Sequence, residues 1–446
     1  MTRSPFVVVG ATGADLLKAL WLGVALTSPL FAVGYVRLDL DSLGIHIAVP
    51  MAGLMGVVAV GTVMLLMRDG SLRRPLLAEP DRSLLIVLYV FLLWHVFSLL
   101  YSSSPSAGRK EVVKLMMATV CFWGTLAFFP RERRFLARFL ELSLWAAVPL
   151  LGYLVYVYAF VFRAPYLGTD LGEEARFGRA QLAWYLSVLF PYAFFYFWKS
   201  RHKLARVLPA MVLLVSLLYV QTRGAWISVA GGLAYAAMAT WRADRAEALK
   251  MTAAIAIGGT LMIGTGLVLI AAYVDITELV TRFVSIYRPQ DVPELHSYEI
   301  RWAAISDAFA GFRSSPIIGV GVGSTLVFVE RLTHNDVATI LLELGLIGLM
   351  VFVVLLLLLA RASGALEATS GAAADWLTLG SRAGFVNWVL SMMFINVYTS
   401  VQFWLFPALF VLAEQVGASR ATARAPAGAD GRMAPALADS GGAGGG

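Results

Sequence analysis

Long apolar runs separated by short polar segments dominate this chain. Many of the runs are about 18–25 residues long, the length that crosses the hydrocarbon core of a bilayer as a helix. Twelve such segments are predicted, at roughly residues 16–36, 44–67, 83–100, 111–129, 136–162, 181–198, 205–221, 224–240, 252–273, 336–360, 376–395 and 398–417. The last two are separated by little more than Asn396 and Val397, so eleven is the alternative count.

Composition agrees with this pattern, because 59% of the residues are hydrophobic and only 14% are charged. The predicted fold is therefore an all-α polytopic membrane protein of about twelve transmembrane helices. A partly helical outer loop connects spans 9 and 10. Residues 1–418 form the predicted transmembrane domain, including that loop at 274–335. Residues 419–446 are predicted to be a disordered cytoplasmic tail, since Ala, Gly, Pro, Ser and Asp dominate them.

The distribution of Lys and Arg predicts the orientation of the chain in the membrane. With a cytoplasmic N-terminus, 22 of the 35 basic residues fall in inner segments, and the opposite orientation inverts that ratio. We therefore expect both termini on the cytoplasmic side. The formal net charge of +7 then follows from topology and gives no indication of nucleic-acid binding.

The outer side nevertheless carries many arginines, which runs against the topological rule. They lie in outer loops at about 163–180 and 274–335 and in one tight turn: Arg163, Arg176, Arg179, Arg223, Arg282, Arg288, Arg301, Arg313 and Arg331. Compensation by nearby acids is one interpretation. An anionic ligand at the outer leaflet is the other.

His334 lies where the polar 274–335 loop meets a long apolar helix, so Thr333–Asp336 are predicted to form the cap and first turn of that helix. The positive end of a helix dipole disfavours protonation of an imidazole. A neutral histidine at the outer boundary can accept a proton from an incoming hydroxyl. A purely capping or anchoring role is the alternative.

Two arginines are predicted to lie near His334. Arg223 occupies a tight outer turn between two apolar helices, where it either binds lipid headgroup phosphate or holds a diphosphate through its planar guanidinium. Arg301 is in an amphipathic segment, in which Ile300, Ala304, Ala308, Phe309 and Phe312 are predicted to share a face resting on the membrane surface. Arg288, Arg176 and Arg179 are weaker candidates.

Three further features bear on the chemistry. The alternating glycines Gly319, Gly321 and Gly323 favour a permissive bend, with backbone N–H groups facing a phosphate as the alternative. Asp39-Leu-Asp41 matches the short acidic motif with which many sugar transferases hold a divalent metal, although a solvated turn explains it most simply. Glu343 is expected to pair with a basic group in the bundle.

Several of these motifs together resemble the O-antigen ligase/polymerase superfamily. They are Thr-Arg-Gly-Ala-Trp at Arg223, Arg-x₂-Ala at Arg301, Ser-Pro-Ile-Ile-Gly-Val-Gly-Val-Gly-Ser before His334-Asn335, and Glu-Leu-Gly-Leu-Ile-Gly-Leu from Glu343. The motifs cover roughly residues 220–350. The short tail and the modest 163–180 loop favour a ligase, and the polymerase is the second candidate.

The resemblance implies a metal-independent, inverting glycosyltransferase of the bacterial inner membrane with its active site facing the periplasm. The implied partners are an undecaprenyl-diphosphate-linked O-antigen donor, a lipid A–core acceptor and membrane lipids, with no cofactor. His334 takes the role of catalytic base. By the same resemblance Arg223, Arg301 and Arg288 are expected to bind the diphosphate, with the family's loop-arginine position taken by either Arg301 or Arg288. Asn335, Arg179 and Arg176 are candidates to support the site.

Two other classes of protein remain as alternatives. A metal-dependent polyprenyl-sugar glycosyltransferase would rely on Asp39 and lose activity in EDTA. A transporter of lipid-linked glycan is expected to carry ionisable groups at mid-membrane, often in repeated halves. In this chain the charges gather at the outer rim and no repeat is visible, which argues against transport.

Overall fold

The structure is a computed structural model. It describes residues 5–30, 37–40, 45–67, 79–162, 179–200, 202–220, 222–271, 296–330, 333–366, 375–396 and 398–424. The helices are α1 (Pro5–Thr27), α2 (Val49–Met67), α3 (Glu79–Ser98), α4 (Pro105–Phe128), α5 (Arg133–Tyr156), α6 (Arg179–Trp198), α7 (Lys203–Tyr219), α8 (Arg223–Ala243), α9 (Arg245–Ala271), α10 (His296–Ser314), α11 (Thr325–Phe328), α12 (Asp336–Ala362), α13 (Trp376–Ser391) and α14 (Val401–Arg424).

The described residues are mainly α-helical, as predicted, and one short β-hairpin is added to the helices. Strand β1 (Arg37–Leu40) pairs antiparallel with β2 (Ile45–Ala48), and Asp39 lies opposite His46. Both strands alternate polar and apolar residues with a period of two, the pattern of a strand rather than a helix. Asp41, the second acid of the acidic motif, lies outside the described residues.

Each of the twelve predicted segments overlaps a helix, but membrane crossing is supported for fewer of them. By length and hydropathy, five helices of the described residues could cross a membrane: Arg82–Tyr101, Pro105–Phe128, Arg133–Val161, Lys203–Val220 and Asp336–Ala362. Shorter apolar helices lie at Gly53–Val63 and Phe403–Gly417. Twelve spans therefore remain a prediction. The last two segments are separate helices, α13 and α14, rather than one.

Two helix ends differ from the sequence prediction. Helix α1 begins at Pro5, well before residue 16, and proline is well tolerated in the first turn of a helix. Helix α14 continues to Arg424, into the segment predicted as tail, where alanine and arginine favour helix. Residues 425–446 of that predicted tail lie outside the described residues.

Helix α13 is the central packing element behind the site. It packs against α6 and α8, while α14 packs on α4, α12 on α3 and α10 on α12. Small residues permit close approach between the helices: a Cβ at Gly232 of α8 would lie 2.5 Å from the Ala383 carbonyl oxygen of α13. Helix α13 thereby fixes the position of the loop at 392–396, and this loop contacts the starts of α8 and α12, where residues predicted for function lie.

Candidate active site

His334 forms part of the turn directly before α12 and has a strained backbone. Its φ of +51° lies in the left-handed region, which residues other than glycine enter infrequently. Such residues are concentrated at active sites and ligand-binding sites, where the surrounding structure enforces the conformation. The side chain is half-buried. The backbone at His334 is thus constrained, and its imidazole is partly accessible.

Asn335 is the N-cap of α12, which confirms the predicted cap and first turn. Its Oδ1 accepts a hydrogen bond from the backbone N–H of Ala338 at 3.0 Å, satisfying one of the free N–H groups at the helix start. The Asn335 side chain is buried. It therefore acts on His334 through the backbone, by fixing where the helix begins.

A polar network that sequence reasoning missed braces the His334 turn from the other side. The Asn396 amide Nδ2 donates to Thr333 Oγ1 at 3.0 Å and to Thr339 Oγ1 at 2.6 Å, and these two hydroxyl oxygens lie 2.7 Å apart. Thr333 Oγ1 also donates to the Asn335 carbonyl oxygen at 3.0 Å. In the sequence, Asn396 was only a polar break between two spans, because nothing local indicates a partner more than 50 residues away.

Helix α10 brings Arg301 to the same place. Ala304 and Ala308 are buried in a small cluster with Ala338 and Leu342 of α12. The predicted membrane-facing surface is therefore wrong for Ala304 and Ala308, which pack on protein. Ile300 and Phe309 are 42% and 47% exposed, so their contact with the membrane stays a prediction. Alanine suits this contact because its small side chain lets two helices approach closely. Arg301 lies one turn before Ala304.

Arg223 is the first residue of α8, and the 392–396 loop connects it to the His334 turn. A Cβ at Gly224 would lie 2.4 Å from Phe394 Cβ, so only a glycine allows this approach. In the same loop, the Met392 carbonyl oxygen accepts from the Asp336 N–H at 2.8 Å. The start of α8 and the start of α12 therefore meet across one short loop.

The three side chains are linked in two electrostatic pairs, Arg301 with His334 and Arg223 with Arg301. Partial burial, together with the positive charge of Arg301, lowers the pKa of His334 below its usual value. Burial and the charge of Arg223 likewise lower the pKa of the Arg301 guanidinium. At neutral pH the imidazole is therefore held in its neutral form, in which one ring nitrogen accepts a proton. Two guanidinium groups beside it make the site strongly attractive to an anion.

The structure does not address every predicted site residue. Arg179 begins α6, but its side chain lies outside the described part of the chain, as do Arg176 and Arg288 entirely. Their roles stay predictions. Of the residues with described side chains, His334, Asn335, Arg301 and Arg223 lie together.

The glycine-rich loop acts as a structural clamp rather than a phosphate cradle. The backbone N–H groups of Val320 and Gly321 donate to the Leu342 and Glu343 carbonyl oxygens at 2.9 Å each, and the Val322 N–H donates to Ser98 Oγ at 3.2 Å. These donors are already satisfied by protein. The permissive-bend interpretation is supported, because Gly319, Gly321 and Gly323 have φ values of +78°, +91° and +78°.

Glu343 anchors this clamp, so its expected pairing with a basic group is wrong for the described contacts. Its Oε1 accepts from the Thr325 N–H at 3.1 Å and from the Thr325 hydroxyl at 2.6 Å. Helix α12 breaks two residues later at Gly345, where φ is +68°. The Leu346 N–H there donates to the Pro316 carbonyl at 3.0 Å. Among the described residues, hydrogen bonds from Thr325 satisfy this buried carboxyl.

The family comparison agrees with the resemblance found in the sequence. Residues 208–353 match the family model described as O-antigen ligase. The match supports membership of the chain in the O-antigen ligase/polymerase superfamily. It includes Arg223, Arg301 and His334. The search of curated proteins finds no match.

Proposed function

We propose that this chain is a glycosyltransferase of the O-antigen ligase type. It moves a glycan from undecaprenyl diphosphate to a sugar hydroxyl of lipid A–core, at the periplasmic face of the inner membrane, with both termini in the cytoplasm. One observation carries the proposal: a histidine in a strained turn and two arginines, contributed by three separate elements, lie close enough for Arg301 to affect the pKa of His334 and for Arg223 to affect that of Arg301.

The site residues have two separate roles in the reaction: His334 acts as the base, and the arginines bind the anionic leaving group. His334 accepts the proton of the acceptor hydroxyl while the hydroxyl oxygen attacks the anomeric carbon from the face opposite the diphosphate. The bond from that carbon to the diphosphate oxygen breaks, and the electron pair leaves with the diphosphate. The product is inverted at the anomeric carbon. The imidazolium then loses its proton to water.

Arg301 and Arg223 stabilise the diphosphate as negative charge develops on it. Each charge-assisted hydrogen bond contributes about 1.5–3 kcal/mol, and guanidinium groups bind phosphate oxygens in pairs. Arg223 is also the first residue of α8, where the helix dipole favours an anion. Arg288 is the further candidate for this role, as the resemblance implies.

Transfer by purified protein from lipid-linked glycan to lipid A–core tests the proposal. We expect product on lipid A with the wild type, a loss of about 10²–10⁴-fold in kcat for His334→Ala, and no change in EDTA. His202→Ala is the matched control. His202 is also a histidine at the start of a helix, but it is exposed and lies at the N-cap of α7, away from the His334 turn.

Other products identify the other candidates. A longer lipid-linked glycan without product on lipid A would indicate the polymerase. Loss of turnover in EDTA together with loss in Asp39→Asn would indicate the metal-dependent transferase. Full activity of His334→Ala would contradict the role of His334 as the base, whether the enzyme is a ligase or a polymerase.

A further inference from the structure

A cationic surface patch near the start of α4 takes no part in the chemistry proposed above. It consists of Arg109, Lys110 and Lys114, whose side chains are all exposed. Lys114 pairs with Glu111 at 2.7 Å. In the part of the chain that the structure describes, no ion pair involves Arg109 or Lys110. The patch therefore carries a net positive charge that the protein around it does not balance.

Two contacts place this patch at the same end of the protein as the His334 turn. The glycine-rich loop approaches α4 so closely that a Cβ at Gly323 would lie 2.2 Å from a backbone nitrogen of the helix. The Thr399 hydroxyl donates a hydrogen bond to Glu111 Oε2 at 2.6 Å. Thr399 is only three residues from Asn396, which braces the His334 turn, and three residues of chain span at most about 11 Å. The patch is thus fixed near the candidate base.

An exposed apolar stripe continues from the patch along α4. Met116 and Val120 follow Arg109 at seven and eleven residues, the spacings that keep positions on one helical face. Their side chains are 47% and 45% exposed, and α4 is long and apolar enough to cross a membrane. A ligand that satisfies both parts of this surface has an anionic head group at the basic residues and hydrocarbon chains along the stripe.

The charge of the patch distinguishes between anionic lipids. A phosphate monoester carries about −1.5 to −2 charges near pH 7, whereas the phosphodiester of an ordinary phospholipid carries one. Two neighbouring basic groups without an ion pair, Arg109 and Lys110, match the monoester better. Lipid A–core combines acyl chains with phosphate monoesters on its sugars, and in the proposed reaction its hydroxyl must reach His334.

We propose that Arg109 and Lys110 bind a phosphate monoester of the acceptor glycolipid and so orient its sugars toward His334. The assignment rests on the proposed function for the identity of the acceptor. It gives the acceptor a binding site separate from the diphosphate site at Arg223 and Arg301. Because neither residue touches the reacting atoms, their loss should weaken binding of the acceptor and leave kcat unchanged.

The first experiment measures binding of lipid A–core to the protein in phosphatidylethanolamine nanodiscs, before and after a phosphatase removes the phosphate monoesters. The double variant Arg109→Gln/Lys110→Gln should bind the phosphorylated lipid about 5–30-fold more weakly, as expected for two exposed charged contacts. It should bind the dephosphorylated lipid as the wild type does. Arg134→Gln/Arg138→Gln is the matched control and should bind both lipids normally, because these exposed arginines lie near the start of α5, beyond the far end of α4.

The second experiment measures glycan transfer to the same two acceptors. The double variant should raise KM for the phosphorylated acceptor by the factor found in the binding experiment, while kcat and KM for the donor stay unchanged. No transfer by the wild type, together with phosphate-dependent binding that the double variant loses, would contradict the proposed function and leave the binding site supported.

Other results would overturn the assignment of the patch itself. Unchanged binding of the phosphorylated lipid in the double variant contradicts it, and so does equal weakening for both forms of the lipid, because the phosphate is then not what the patch binds. Phosphatidylglycerol tests the ordinary phospholipid as ligand. If replacing part of the phosphatidylethanolamine by phosphatidylglycerol abolishes the preference of the wild type for the phosphorylated lipid, the patch is a general phospholipid site.

Discussion

Replacing Asn396 by alanine tests whether the strained turn of His334 serves catalysis. The change removes the amide that donates to Thr333 at 3.0 Å and to Thr339 at 2.6 Å. A neutral hydrogen bond contributes about 0.5–1.5 kcal/mol, so two amount to about 1–3 kcal/mol. Because the left-handed turn costs energy to maintain, losing this support allows it to relax. If all of these 1–3 kcal/mol are lost from the stabilisation of the transition state, kcat falls about 5–150-fold.

The assay is turnover at saturating donor and acceptor, measured beside thermal unfolding of the same samples. Asn387→Ala is the matched control: Asn387 is a buried asparagine of α13 whose amide donates to the Ser187 carbonyl oxygen, in a contact that does not involve the His334 turn. Both variants should lose stability, but only Asn396→Ala should lose kcat with little change in KM. Equal loss of stability with wild-type kcat in both variants would refute the reasoning.

Two further predictions follow from the charges and the backbone of the site. Partial burial and Arg301 lower the pKa of His334, so the acid limb of the kcat/KM profile should have its midpoint below about pH 6.5. Arg301→Gln removes the positive charge and should move that midpoint to higher pH. Arg301→Lys keeps the charge and should leave the midpoint in place. A pH profile with the same midpoint in all three proteins would exclude this coupling. Gly323→Ala should lose about 2–5 kcal/mol of stability, from the left-handed φ of +78° and a Cβ placed 2.2 Å from the Gly108 nitrogen. Gly56→Ala, with open space at its Cβ, should lose none, because alanine is favoured over glycine inside a helix.

Much of the fold was predictable because the hydrophobic pattern is strong and local. Apolar runs of membrane length gave a helix at every predicted segment, and the cap at Asn335 followed from the polar residues before an apolar run. The hairpin at β1 and β2 was missed because each strand has only four residues. Such short alternations are inconspicuous beside long spans.

The chemistry of the site was predictable in kind but not in geometry. His334, Arg301 and Arg223 were found from topology and motif, and their mutual electrostatic effects agree with that choice. The support by Asn396 could not be found, because it depends on how α13 packs rather than on any local pattern. The partner of Glu343 was wrong for a similar reason: a buried carboxyl can be satisfied by N–H and O–H donors as well as by a cation.

The most direct test of the account is a double-mutant cycle of Arg223→Gln and Arg301→Gln on binding of a glycan-free prenyl diphosphate. Each single change should weaken binding by about 10–150-fold, since each removes about 1.5–3 kcal/mol. If both arginines hold one diphosphate, the two losses should couple by at least about 0.5 kcal/mol. Losses that simply add, or a single variant that binds as tightly as the wild type, would contradict a shared anion site beside His334.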